Sequence, residues 1–573
     1  MRPTNMKNTP SKTPLLLALT VAITLLLTPA AFAATPGMTS TAGTVGTFKL
    51  TAQEGYLNQP DGEAVYSWGY GCVVSSAPTF VPAAITGAFC NTMQVPGPTL
   101  VVTEGTSVTI NLTNNLPTAA GDTSILFPGF LLTSTCPNSA ANPQGLLACE
   151  AAPGQTVTYT FTASAPGTHP YYSGTQGDLQ IEMGLYGAVV VLPSSVPSVC
   201  ATGLPLTNPG ANALAKAHWG EPDFRLAAAA YDHPKSCYDR EYLFQWAEMD
   251  TRIHRQALAQ VTAKVGCTAG MPGCSLDVQT EPYHPAYFVI NGRSMPDLMD
   301  PNYASEYPHQ PYNGNPHTHP GELMLIRVIG QGRWQHPYHE HANHVRILAR
   351  DGNLILTPAN PTTSLAGQLM FNTDTTPGES FDGIFYFTGR GLNWDPYGHN
   401  PAPDVGTSPT LPNGTPANDP LAHLTCTPDV NGYNTGDPTA VNYFEWCQDH
   451  NKPVEVNPFG DVPAGGPATL PDPDVFTNGA WYGGTPYLGP DATLRAQMPA
   501  CTTTAGTGAL TPATNCTTLQ PSNVQANPAN ERGWAFMWHS HNEREITTNN
   551  VFPGGMLMML LVDSREFVID ESQ

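Results

Sequence analysis

The stretch HPYHEHANH places His336, His339, His341 and His344 within nine residues of a chain that holds 17 histidines. A second cluster, WHSHNERE, runs from Trp538 to Glu545 and adds His539 and His541. Imidazole nitrogen suits copper and zinc, and alternate residues of a strand face the same way. His339 with His341, and His539 with His541, would therefore each present two imidazoles on one face. Placed on neighbouring strands, the four would converge as one metal site. His336 and His344 are candidates to supplement it. Glu340, Glu543 and Glu545 would add carboxylate oxygen, and a mixed set of that kind also admits zinc, iron or manganese. Ser540 lies between the two histidines of the second cluster and points the opposite way. It has no nucleophile-elbow glycines around it, and no phosphate-binding glycine loop occurs in the chain.

The remaining histidines give weaker signals. His169, His218, His233, His254, His284, His309, His399, His423 and His450 read as surface or hydrogen-bonded groups. His317 and His319, in HTH, read as part of a polar loop. The methionine-rich GGMLMMLLV reads as a core strand rather than a copper-entry stripe.

Strands must position these groups, and the chain reads as all-β. It has 58 Pro and 53 Gly, short alternating apolar segments and few helical periods. TLVVTEGTSVTINLTNNLP gives two strands around Glu104-Gly105. QTVTYTFTAS and YGAVVVLP follow, for a first sandwich over 40–195. Residues 196–283 are mixed and lead into the second domain, with a buried strand in DREYLFQWAEMD and a helix in RIHRQALAQVTAKV. A second sandwich over 284–562 holds YFVINGRSMPD, GELMLIRVIG, HVRILARDG, ESFDGIFYFTG, GWAFMWHSH and GGMLMMLLV. Residues 391–530 interrupt it with a long insertion rich in Pro, Gly, Asn and Thr.

Residues 1–33 read as a secretory signal peptide: basic Arg2, Lys7 and Lys12, an apolar run from Leu15 to Leu27, and the small-x-small site Ala31-Phe32-Ala33. No later stretch approaches the ~18 apolar residues of a membrane span. The mature protein is expected outside the cytoplasm, secreted or periplasmic. A net charge of −23 argues against nucleic acid and anionic membranes as partners. Twelve cysteines in an exported chain imply disulfides. Proximity suggests Cys72/Cys90, Cys136/Cys149, Cys200/Cys237, Cys267/Cys274, Cys426/Cys447 and Cys501/Cys516.

Taken together, the motifs resemble the multicopper oxidase family, in a two-domain, laccase-like form. VPGPTLVVTEGTSVTINLTNNLP looks like a first cupredoxin domain. YFVINGRSMPD, HPYHEH, PGESFDGIFYF and WHSH…PGGMLMMLLV look like the copper-bearing last one. The resemblance implies two cupredoxin-like β-sandwich domains, copper as the cofactor and a small phenol or metal ion as the substrate. It also implies a homotrimer. The family's HPxHxH falls on His336, His339 and His341, the first a type 1 copper ligand and the others ligands of the trinuclear cluster. The family's HCHxxxH falls on His539, Ser540, His541 and Glu545. Serine thus replaces the type 1 thiolate and glutamate the type 1 histidine; Met556 stands beyond the family spacing for the axial ligand. In the first domain Leu126, Pro128, Tyr172 and Gly174 occupy the four histidine positions. A blue centre needs two His, a Cys thiolate and a weak axial ligand. The expectation is therefore a reduced copper site on His339, His341, His539 and His541 without a type 1 centre. The alternative is a redox-inactive structural or interaction module on the same scaffold.

Overall fold

The computed structural model describes residues 35–387 except 74, 91, 137–146, 203–208 and 363, then 434–438, 443, 484–487 and 533–571 except 564 and 566. The signal-peptide reading, most of the insertion, and the pairs Cys426/Cys447 and Cys501/Cys516 lie outside these residues.

Alternation builds the first sandwich. Ser107–Asn114 and Thr156–Thr162 bury every second side chain, and they pair antiparallel in a five-stranded sheet. The second five-stranded sheet carries Leu100–Thr103, Tyr186–Leu192 and Gly167–Tyr172. Phe48, Leu50, Trp68, Ile110, Tyr159 and Val189 are among the side chains that meet between the two. Two long strands, Thr47–Asn58 and Ala64–Cys72, were not singled out in the sequence.

In the second sandwich a seven-stranded sheet faces a six-stranded one. Arg240–Met249 lies in the first, parallel to Met324–Gly330, and is buried along its whole length. The other sheet holds Pro337–Glu340, Gly533–Ser540 and Leu557–Asp563. Between the sheets pack Phe244, Trp246, Ile326, Trp538, Met558 and Leu560. Met556 and Met558 are fully buried there, so the methionine-rich segment is a core strand. Among its described residues the insertion contributes the strand Gly484–Tyr487, beside Gly533–Ser540.

The helix read in RIHRQALAQVTAKV spans Thr251–Ala263, and the Asp250 side chain accepts from Arg252 N at its start. It turns Ile253, Ala257 and Val261 into the core of the first sandwich. The four described cysteine pairs, Cys72–Cys90, Cys136–Cys149, Cys200–Cys237 and Cys267–Cys274, are disulfides. Among the described residues no helix is long and apolar enough to cross a membrane. The all-β reading with two sandwiches is the observed architecture.

Candidate metal centre

Pro337–Glu340 and Gly533–Ser540 are antiparallel neighbours, with His339 directly opposite His539 and Tyr338 opposite Ser540. Strand alternation then sorts the residues onto two faces. Tyr338, Glu340, Trp538 and Ser540 turn inward and are buried, while His339 and His539 turn outward and are half-buried. His341 and His541 follow on the outer side.

Four imidazoles meet on that outer face. Ring centroids lie 4.5 Å apart for His339 and His341, 5.0 Å for His339 and His541, and 5.2 Å for His341 and His539. The pairs His339–His539 and His539–His541 are at 5.5 and 5.7 Å. Nitrogens of His339, His341 and His539 all lie within 4.8 Å of one another. His541 is exposed, so the cluster opens to solvent on its side.

Two of these rings have fixed tautomers. His339 Nδ1 donates to the Phe371 carbonyl at 2.6 Å, and His539 Nδ1 donates to the Ser540 carbonyl at 2.7 Å. Each therefore keeps its proton on Nδ1 and presents a bare Nε2, as metal-binding histidines do. His539 Nε2 stands 3.1 Å from His341 Nε2. Partial burial lowers the pKa of His339 and His539 against the opposing pull of those carbonyls, and neighbouring imidazoles lower it further. Neutral imidazole is the form that ligates. The donor set thus fits a metal that takes imidazole nitrogen.

His336 stands apart from the set, and His344 is not among the three residues whose ligand nitrogens lie together. The His344 ring packs on Phe371 at 5.4 Å, and Phe371 also edges His339. His336 is fully buried on the inner side with both nitrogens engaged: Nδ1 donates to Glu545 Oε2 at 2.8 Å and Nε2 to Glu248 Oε2 at 2.9 Å. Burial alone would lower its pKa, but the two hydrogen bonds outweigh that and hold it up at about 9. His336 is therefore an imidazolium where the family pattern puts a copper ligand. Glu545 also accepts from Ser540 Oγ at 2.5 Å and from Asn542 Nδ2 at 2.9 Å. Nor does Glu340 face the cluster. It is buried on the inner face, where desolvation pushes its carboxyl well up and Thr373 donates to it.

Glu248 was missed from the sequence. Its signal was an acid in a strand read as buried, where a carboxyl needs a partner; Arg240, Glu241 and Gln245 share that strand. The polar-loop reading of His317 and His319 is corrected. His317 lies in a buried strand beside Leu561, paired with Asp563. His319 Nε2 meets Glu221 Oε2 at 2.8 Å. Glu221, His319 and Glu322 also have metal-like spacing. Arg240 already fills that role, with its guanidinium paired to both glutamates.

In the first sandwich Leu126, Pro128 and Tyr172 are partly buried and Gly174 is exposed, with the Leu126 side chain lying over Gly174. Leu126 and Tyr172 bridge through their main chains, and a Cβ on Gly174 would come within 2.8 Å of the Leu126 side chain.

Residues 84–196 match the model of a multicopper oxidase family. L-ascorbate oxidase of Brassica rapa subsp. pekinensis is 38% identical over 99 residues, covering 17% of this chain and 16% of the relative. Iron transport multicopper oxidase fetC of Epichloe festucae (strain E2368) is 37% identical over 102 residues, 18% of this chain and 15% of the relative. The chain thus matches about a sixth of the length of these curated relatives. The solved multicopper oxidase mgLAC overlaps 59% of this chain and 74% of its own, at 17% identity and a TM-score of 0.35. The family match falls on the sandwich that lacks the histidines; the imidazole cluster belongs to the other.

Proposed function

Taking as premise that residues 84–196 are a multicopper oxidase domain, we propose that the chain is an exported copper-binding protein with a reduced copper site. His339, His341, His539 and His541 would hold it, and no type 1 centre feeds it. The observation that carries this reading is the meeting of four imidazoles, two of them locked by main-chain carbonyls with Nε2 left unprotonated. Four disulfides support an oxidising compartment. The imidazole set itself suits zinc as well as copper; the match to a multicopper oxidase family favours copper.

Copper held there supplies one-electron chemistry with small reductants, such as phenols or metal ions. The residues set its terms. His339 and His539 keep fixed rings, and His541 stands at the solvent side, where a small molecule can approach. On the inner face Ser540 offers a hydroxyl already committed to Glu545, and His336 has no free nitrogen. The usual route of electrons through a Cys-His pair is therefore absent, and copper binding is the primary activity.

Metal content and copper EPR on the full chain, beside His539→Ala/His541→Ala, test this. One copper per chain with a type 2 spectrum, lost in the variant, is expected. Three or four coppers with an intense blue band would restore an oxidase, and no copper after loading would leave only a scaffold.

A further inference from the structure

Ser540 joins the two faces of its strand. Its carbonyl accepts the His539 Nδ1 proton on the outer face, while its hydroxyl is held inside by Glu545. The chain of contacts continues inward. Asn542 N donates to Ser540 Oγ at 3.2 Å, and Asn542 Nδ2 donates to the other oxygen of Glu545 at 2.9 Å. Ser540 N donates to the Met556 carbonyl at 3.0 Å, and Met556 N to the Glu545 carbonyl at 2.8 Å. Glu545 grips His336, and His336 grips Glu248. Glu248 belongs to the opposite sheet, where Arg333 N, Trp334 N and the Tyr283 hydroxyl all donate to it.

We propose that Glu248, His336, Glu545 and Ser540 form a positioning device for the imidazole cluster. They anchor Ser540 to the opposite sheet, and Ser540 in turn holds His539 with Nε2 aimed at its neighbours. The device deepens the metal-binding reading above and rests on it. An imidazole is nearly symmetric in outline, so without a partner at Nδ1 it can turn over and present carbon instead of nitrogen. Partners of this kind typically carry 10–100-fold in metal affinity. The cavity that the family fills with type 1 copper is, in this chain, filled by an ion and hydrogen-bond clamp that orders the ligand next door.

The test uses the full chain as wild type, Ser540→Ala, Ser540→Thr and Glu545→Gln, each checked for folding by circular dichroism. Copper(II) affinity is measured by chelator competition, with EPR on the loaded protein and imidazole 15N shifts on the metal-free protein. Ser540→Ala should weaken copper about tenfold, alter the copper hyperfine splitting and give His539 a mixture of tautomers. Ser540→Thr, which keeps the hydroxyl, should restore all three, and Glu545→Gln should follow the alanine variant. Wild-type affinity, spectrum and tautomer in both Ser540→Ala and Glu545→Gln would overturn the device and leave the metal site standing. Should wild type bind no copper, the metal-binding reading fails, and the tautomer shift alone decides whether Ser540 positions His539.

Discussion

The two faces of one strand pair handle histidine in opposite ways. Outside, His339 and His539 donate to main-chain carbonyls, have lowered pKa values and offer bare nitrogens. Inside, at the residue just before that strand, His336 donates to two carboxyl groups and is charged. The backbone is shared and the ring is the same; only the partners differ. A carbonyl can take one proton and leaves the imidazole neutral, which makes a ligand. Two carboxyl groups hold both protons, and the ring itself becomes the cation. A cavity that a metal's charge would occupy can thus be satisfied by an imidazolium, provided a second acid is brought in from the facing sheet.

On that contrast, the inner face should govern stability and the outer face metal binding. His336→Ala would leave Glu248 and Glu545 buried without their cation, a loss of about 3–5 kcal/mol, read by denaturant unfolding. A cost below about 1 kcal/mol, typical of exposed ion pairs, would break the comparison. The next effect is pH dependence. His336 has its pKa raised on folding, so its contribution is complete below the unfolded value near 6.5 and fades as pH climbs through about 9. Glu571 acts in the same sense: burial first of all, opposed by Arg240, leaves its carboxyl at about 8, and its proton is lost as pH rises. Unfolding free energy should fall by about 3 kcal/mol between pH 6.5 and 9.5 on the histidine alone. In His336→Gln the slope should be visibly flatter.

On the outer face the sizes reverse. Copper at a hundred times its Kd should stabilise wild type by about 2.7 kcal/mol and His339→Ala or His539→Ala not at all. The same two variants without metal should differ from wild type by under about 1 kcal/mol, because the rings are half-buried and touch mainly one another. A thermal shift with copper that survives in both would remove these residues from the site.

Most of this arrangement was legible beforehand, for a physical reason. Period-two spacing places His339 with His341 and His539 with His541 whatever the fold, and apolar alternation marked the strands that carry them. Ser540 was placed on the opposite face by the same rule. Contacts far apart in sequence were not legible. Glu248 lies 88 positions from His336, and no local pattern announces that pairing. Nor did HTH reveal that His317 and His319 would be buried against acids, since a short polar triplet reads alike in a loop and in an ion-paired strand. The strands Thr47–Asn58 and Ala64–Cys72 went unmarked although the first buries Phe48, Leu50 and Ala52 in alternation; its polar residues masked the period.

The first sandwich sharpens the comparison from a third direction, with the smallest expected effect. There Leu126 fills the space over Gly174, so this position is closed by packing rather than by charge. Gly174→Ala brings a Cβ to 2.8 Å from Leu126 Cγ, closer than carbon atoms tolerate, so the leucine must shift. The cost should be about 1–2 kcal/mol, within the usual range for overpacking. Leu126→Ala alone should also destabilise, by removing partly buried apolar surface. Together the two changes should cost less than their sum by about 0.5–1 kcal/mol, because the smaller side chain makes room for the new methyl. Simple additivity would mean that Leu126 does not close this position. The coupling, if found, is insensitive to pH, whereas the His336 clamp is not. That difference separates a site closed by shape from one closed by charge.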